Sequence, residues 1–393
     1  MPQTAPSTAT LILISALSIL SLNMFLPSLP AMAEAFDVSY AVINVTVSGF
    51  FIVTAVLQLI IGPLSDRFGR RPILLIGLIL FTIASCIATF ADHLAVLLAA
   101  RLVQGAVIVG SVISRAVVRD LYPPQEAAGT LGQIGMVMAL APMLGPLFGG
   151  VLDAVFGWRA SFAAFAIMGI GTLLLCWFDL GETHTKRAPT FLAQFRTYPA
   201  LLGAPLFWAH SLCLTFAVGA FFVFLSGAPL VVQPVFGLGS AGIGAVLGSI
   251  TGGFAFGNFL SSRYATRYRL STMMIAGRLV ATGGMTVGII GFAIGIESLW
   301  LFIPCVMSVG LGNGLTLPAG NAGALSVKPE LAGSAAGMSG SLQVAGGALF
   351  TSIAGVILAR FSSPTALMGL MLALILAGLA MALWVRIMEH AAD

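Results

Sequence analysis

Twelve times along this chain a stretch of about 20 or more mostly apolar residues, the length needed to cross a bilayer as a helix, ends on a short polar cluster. The spans are 10–32, 41–61, 72–90, 94–118, 128–151, 159–180, 203–226, 241–261, 271–295, 298–324, 331–358 and 365–388. No irregular backbone can face lipid, because its N–H and C=O groups would go unsatisfied. A chain so patterned folds as an all-α polytopic membrane protein with twelve transmembrane helices. A mean hydropathy of +1.07 over 393 residues is consistent with no soluble alternative. The N-terminal run resembles a signal peptide only in part. Residues 1–10 hold no Lys or Arg, and the apolar run is long for a cleaved leader, so the first helix is expected to remain.

Charge then orients the helices. Only 8% of residues are charged. Loops 33–40, 91–93, 152–158, 227–240, 296–297 and 359–364 carry one basic residue, Arg360. The alternate loops carry Arg67, Arg70, Arg71, Arg119, Lys186, Arg187, Arg196, Arg263, Arg267, Arg269 and Lys328. Lys and Arg accumulate on the cytoplasmic side, which sets both termini in the cytoplasm. The net charge of +4 therefore serves topology, and no nucleic-acid partner is implied.

The longest non-apolar stretch, 181–202, divides the chain into a bundle of six helices at 1–180 and another at 203–393. Each half carries a basic loop after its second helix. The first reads Gly62-Pro63-Leu64-Ser65-Asp66-Arg67-Phe68-Gly69-Arg70-Arg71-Pro72; the second keeps Gly257, Arg263, Arg267 and Arg269 and lacks the Asp. The degenerate echo at matching positions suggests two six-helix pseudo-repeats. Pro63 and Pro72 are expected to bracket the helix ends, and Asp66 either to accept from helix N-terminal amides or to pair with an arginine such as Arg119. Read blandly, the segment is an ordinary basic loop.

Polar groups at membrane depth are functional candidates by default. Arg101 is followed by Gln104 and Gly105, and Arg115 lies 14 residues on, about 40° around a 3.6-residue helix, so both can line one cavity face; Arg115 can equally snorkel. Arg278 is placed near enough to the cytoplasm to snorkel as well. Asn258, Asn313, Asn321 and Gln343 serve either substrate or neighbouring helices. Phe216, Phe221, Phe222 and Phe224 either stack on an amphiphilic compound or face lipid. None of the thirteen Asp and Glu residues falls mid-membrane. Glu34 and Glu126, at helix ends, and His210, within a helix, are the titratable candidates, although a lone helix His is commonly a hydrogen bonder.

The 62–72 segment matches the signature loop of the major facilitator superfamily of secondary transporters at Gly62, Asp66, Arg67, Gly69, Arg70 and Arg71. Arg101-x-x-Gln104-Gly105 resembles its second motif, whose arginine is linked to proton or substrate coupling. Pro142, Gly145, Pro146, Gly149 and Gly150 resemble the "antiporter" motif of its exporters. With Leu26-Pro27 in the first helix, Arg115 through Arg119 and Asp120 in the fourth, and Gly157-Trp158-Arg159, the chain resembles the Bcr/CflA branch of drug:proton antiporters. The resemblance implies a cytoplasmic latch including Arg119 and Asp120, export of small amphiphilic compounds, and proton exchange across a bacterial inner membrane. It implies no cofactor and no metal, and a monomer is expected. In that branch the position three before Leu26-Pro27 is commonly an acid; here it is Asn23, which cannot titrate.

Other classes fare worse. There are no paired intramembrane carboxylates, no HExxH and no plausible Ser/His/Asp set for an enzyme. No GxxxxGK[ST] loop points to nucleotide-driven work. A carrier of an anionic or polar metabolite is the alternative that Asn23 and Arg101 favour.

Overall fold

In lipid a backbone must satisfy its own hydrogen bonds, and the serines and threonines of these apolar runs do so too: Ser15, Thr82, Ser85 and Thr215 each donate to a carbonyl one turn back. The computed structural model describes residues 6–122, 124–183, 201–264, 267–328 and 331–392. Within them all twelve expected segments are helical. The 184–200 stretch of the expected linker lies outside the described residues.

The first half comprises six helices. Helix α1 runs Thr8–Asn23 and Leu29–Ala35, joined through a 3-10 turn at Leu26–Ser28. Helix α2 runs Tyr40–Ile43 and Val45–Phe68, α3 Arg70–Thr89. Helix α4 runs Leu94–Gln104 and Ile108–Leu121 around a 3-10 turn at Gly105–Val107. Helices α5, Pro124–Phe156, and α6, Arg159–Asp179, complete the half.

The second half comprises α7 (Pro205–Phe236), α8 (Ser240–Tyr264), α9 (Leu270–Ala293), α10 (Leu299–Ser326), α11 (Ala332–Arg360) and α12 (Pro364–Ala392). Inside the halves, α3 packs on α6, α1 on α4 and α5, and α10 on α8 and α9. Small residues permit these close crossings: a Cβ on Gly253 or Gly314 would enter the backbone of the facing helix.

The expected 62–73 loop is much shorter than its sequence implies. Pro63 lies inside α2 and Pro72 in the first turn of α3, where a missing N–H leaves no bond unmade. A single residue, Gly69 at φ +101°, makes the turn. Between the halves, α5 packs on α8, α2 on α11, and the end of α1 on α7 and α8.

Candidate functional site

The side-chain hydrogen bonds between the halves among the described residues lie at one end of the bundle, where α1 and α2 are broken. The Tyr40 hydroxyl donates to the Ser226 carbonyl, and Asn44 Nδ2 to the Thr351 carbonyl at 2.8 Å. Phe51 and Phe222 meet at 4.4 Å between ring centroids. The Ser240 hydroxyl donates to the Asp153 carboxylate. Asp153 is the one buried carboxylate among the described residues.

The antiporter-like segment of α5 builds this seam from both sides. Gly149 lies directly under the Met24 carbonyl of α1, and Gly150 under the Ser240 carbonyl of α8, each too close for a Cβ. Gly145 makes ordinary contact with α1, and Pro142 and Pro146 lie within an unbroken α5. A cleft of about 250 Å³ remains between Pro27, Pro30, Glu34, Gln233, Ser240 and Ile243. Glu34 is thus exposed at the seam. The side chain of Glu126 lies outside the described residues.

Arg101 is enclosed in the first half, 1% exposed. Its Nη1 donates to Gln104 Oε1 at 2.7 Å and to the Ser21 carbonyl at 3.3 Å, and its Nε to the Thr46 carbonyl at 3.3 Å. Gln104 passes the chain on to Ser85 Oγ at 2.7 Å. The guanidinium sits 4.2 Å from the centroid of Phe25 and 4.4 Å from that of Phe50. No carboxylate pairs with it among the described residues, and Nη2 has no hydrogen-bond partner there. Burying a cation costs several kcal/mol; two aromatic faces at about 2 kcal/mol each when desolvated, with three charge-assisted hydrogen bonds, offset most of that.

Arg115 does not join it. That side chain is exposed, with Nε on the Ser111 carbonyl at 2.9 Å. The 3-10 turn at Gly105–Val107 separates the two positions, so the angle drawn on a continuous helix does not carry across it, and Arg101 is enclosed where Arg115 is exposed. Asn23 is buried too, its Nδ2 on the Ile19 carbonyl at 3.3 Å and its Cβ toward Gly145. Its Oδ1 has no partner among the described residues.

At the opposite end, Arg70 gathers the charged segment. Its side chain pairs with Asp66 and with Asp120 at 3.0 Å, and donates to Ser65 Oγ at 2.5 Å. Asp66 pairs with Arg70 at the start of α3; the expected partner Arg119 has its side chain outside the described residues. Arg67 is exposed, resting on Phe68 at 5.3 Å; Gly62 faces open space.

The second half holds a buried arginine that the sequence reading put elsewhere. Arg278 does not snorkel: it is fully buried, with Nη2 on Asn313 Oδ1 at 2.5 Å and Nε on Thr316 Oγ1 at 3.1 Å. Asn313 in turn donates to the Ala217 carbonyl at 3.1 Å. Two side-chain acceptors on α10 hold the cation more firmly than a distant interface. Asn313 is thus an interhelical tie. Gln343 is half-buried, with Nε2 on Ser339 Oγ at 3.3 Å. His210 is buried against Gly323, its Nδ1 without a partner among the described residues.

The α7 aromatics do not simply face lipid either. Phe222 crosses the seam to Phe51, Phe224 lies 6.3 Å from Phe302, and Phe216 lies 5.8 Å from Phe350. Sequence reasoning missed the Asp153–Ser240 contact, because a helix-end acid gives no sign of which partner closes on it.

A model of the Major Facilitator Superfamily matches residues 11–351. The chain belongs to this superfamily. As a major facilitator protein it is an integral membrane transporter of small molecules, in line with the resemblance carried by the 62–72 segment. The chloramphenicol resistance protein of Pseudomonas aeruginosa is 28% identical over 365 residues, covering 91% of this chain and 85% of the relative. Multidrug resistance protein D of Escherichia coli is 27% identical over 350 residues, covering 88% of each. The Bcr/CflA-like resemblance read from the motifs agrees with these relatives. Among solved structures, a bacterial homologue of the human lysosomal transporter Spinster, inward-facing and occupied, superposes with a TM-score of 0.79 at 16% identity, over 98% of this chain and 96% of that one. A D-xylose–proton symporter gives 0.73 at 16% identity, over 96% of each. Both speak to the fold alone.

Proposed function

We propose that this transporter exports small amphiphilic, drug-like compounds by alternating access, in exchange for protons. The observation that carries the reading is the α5 segment, whose glycines and Pro146 join α1 to α8 and close one end of the molecule. Alternating access requires such a seam to part while the other end closes. By the charge bias the seam faces the periplasm and the Arg70 cluster the cytoplasm, which makes Asp66, Arg70 and Asp120 the latch. The names of the curated relatives support drug export.

The second reading, a carrier for an anionic or polar metabolite, is favoured by two buried arginines that no carboxylate neutralises among the described residues. Reconstituted vesicles separate the two. A neutral drug and an anionic dye are supplied with and without an imposed pH gradient. One-for-one proton exchange sustains about a tenfold drug gradient per pH unit. Accumulation of the drug to that level supports the antiporter; flux of the dye alone, and only down its own gradient, overturns it.

A further inference from the structure

We propose that Glu182 is a positioning residue of the latch, acting through Arg70, and that the exit of α6 is the anchor on which the latch is built. The inference rests on the latch reading above. Helix α3 begins at Arg70 after Gly69, which has no side chain with which to cap it. Glu182, three residues beyond the end of α6, supplies the cap: Oε1 accepts from the Arg70 N–H at 2.9 Å and Oε2 from the Arg71 N–H at 3.3 Å. A carboxylate at a helix N-terminus meets both orphan donors and the positive end of the dipole.

The glycine is required by its φ, and the carboxylate approaches closely over it. Arg71 grips the same helix end from its side chain, with Nη2 on the Trp177 carbonyl at 2.8 Å and the guanidinium 5.5 Å from the Trp177 ring. With its backbone held in this way, the Arg70 side chain is aimed at Asp66 and Asp120.

Two further observations show that this is a built arrangement. Asp179, three residues before Glu182, accepts from the Ser7 N–H at 2.8 Å and from the Thr10 hydroxyl, and so holds the start of α1, which Ser7 caps. One helix end therefore seats the starts of two others. The second half joins the corresponding helices through side chains alone: Glu389 accepts from Ser271 Oγ at 2.5 Å and Arg386 Nη1 donates to Thr272 Oγ1 at 2.7 Å, tying the end of α12 to the first turn of α9. The tie between these two helices recurs, but only in the first half does it cap backbone N–H groups and bear on an Asp–Arg cluster. The chain leaves for the second half directly after Glu182, so the crossing segment begins at the latch itself.

The test uses the full chain in vesicles, with Cys86 replaced by Ser and a reporter cysteine at Gln58, which lies against Gly340 of α11. Glu182→Ala is expected to raise maleimide labelling of the reporter and to lower the maximal transport rate about tenfold with KM unchanged, as loss of charge-assisted bonds would. Glu182→Gln, which keeps one acceptor, should fall between, and it carries the test if the alanine variant fails to insert. Because both act through Arg70, Asp66→Asn with Glu182→Ala should label no faster than Asp66→Asn alone. Glu389→Ala should leave the reporter unchanged. Unchanged labelling in Glu182→Ala beside raised labelling in Asp66→Asn overturns the inference and spares the latch, and so does full additivity of the two. Unchanged labelling in Asp66→Asn overturns the latch and the inference with it.

Discussion

The two halves each enclose one arginine among their first, third and fourth helices, yet they are wired differently. In the first half the cation is on the fourth helix: Arg101 reaches the Ser21 carbonyl of α1 and, through Gln104, Ser85 of α3. In the second it is on the third: Arg278 reaches Asn313 and Thr316 of α10, and Asn313 the Ala217 carbonyl of α7. A polar tie at this depth can therefore take its charge from either helix. What differs is the surroundings. Arg101 bridges the segments of α1 and α2 that adjoin their breaks, rests on Phe25 within the α1 break, and so touches the parts that form the seam. Arg278 is held by α10 and packed against α12, all within its own half. Arg101 is placed to feel the seam part, whereas Arg278 is placed to hold a bundle together.

Removing each cation is the strongest way to break this contrast. Arg101→Ala should reduce uphill transport about a hundredfold, the equivalent of two decades of rate, with insertion and melting temperature little changed. Arg278→Ala should cost about 1–2 kcal/mol of stability and leave transport within a few-fold. Equal loss of transport in both, measured in the same vesicles, would erase the distinction.

A glycine pair gives the next largest effect. Gly149→Ala drives a Cβ into the Met24 backbone beside the α1 break, where nothing can yield; Gly323→Ala meets only the His210 ring, which can rotate away. Transport should collapse in the first and persist in the second, and a mild Gly149→Ala phenotype would show that α1 is free to shift.

Smaller still, Asn23→Asp should add proton dependence, because the new carboxyl would sit buried beside the α1–α5 contact. A transport-versus-pH profile unchanged from the parent would indicate that this position is silent. Last, Ser240→Ala removes one hydrogen bond across the seam, worth ~1 kcal/mol or about a fivefold shift toward the parted state, readable as faster labelling of seam cysteines.

The fold was legible because lipid leaves few options: twelve apolar runs of helix length had one solution, and the Lys and Arg loops set its expected orientation. Helix ends were less legible. Pro63 and Pro72 look like terminators in a sequence, but one is absorbed inside α2 and the other sits where α3 needs no donor. The site was half legible. Arg101 and Gln104 stood out because charge is scarce, and they do bond each other. Depth and partnership were not encoded locally: angular arithmetic could not show that Arg115 lies exposed, nor that Arg278 finds Asn313 35 residues away. Glu182 escaped notice for the same reason, since a cap supplied from another helix leaves no mark at either position.

The seam distance is the direct test of the contrast. Spin labels at Phe156→Cys and Gly239→Cys, exposed positions at the facing ends of α5 and α8, report whether the seam is shut or parted. Measured in the parent, Arg101→Ala and Arg278→Ala chains, the distance distribution should move in Arg101→Ala and match the parent in Arg278→Ala. A distribution that moves with Arg278 and not with Arg101 would contradict the assignment of the seam-coupled charge to the first half.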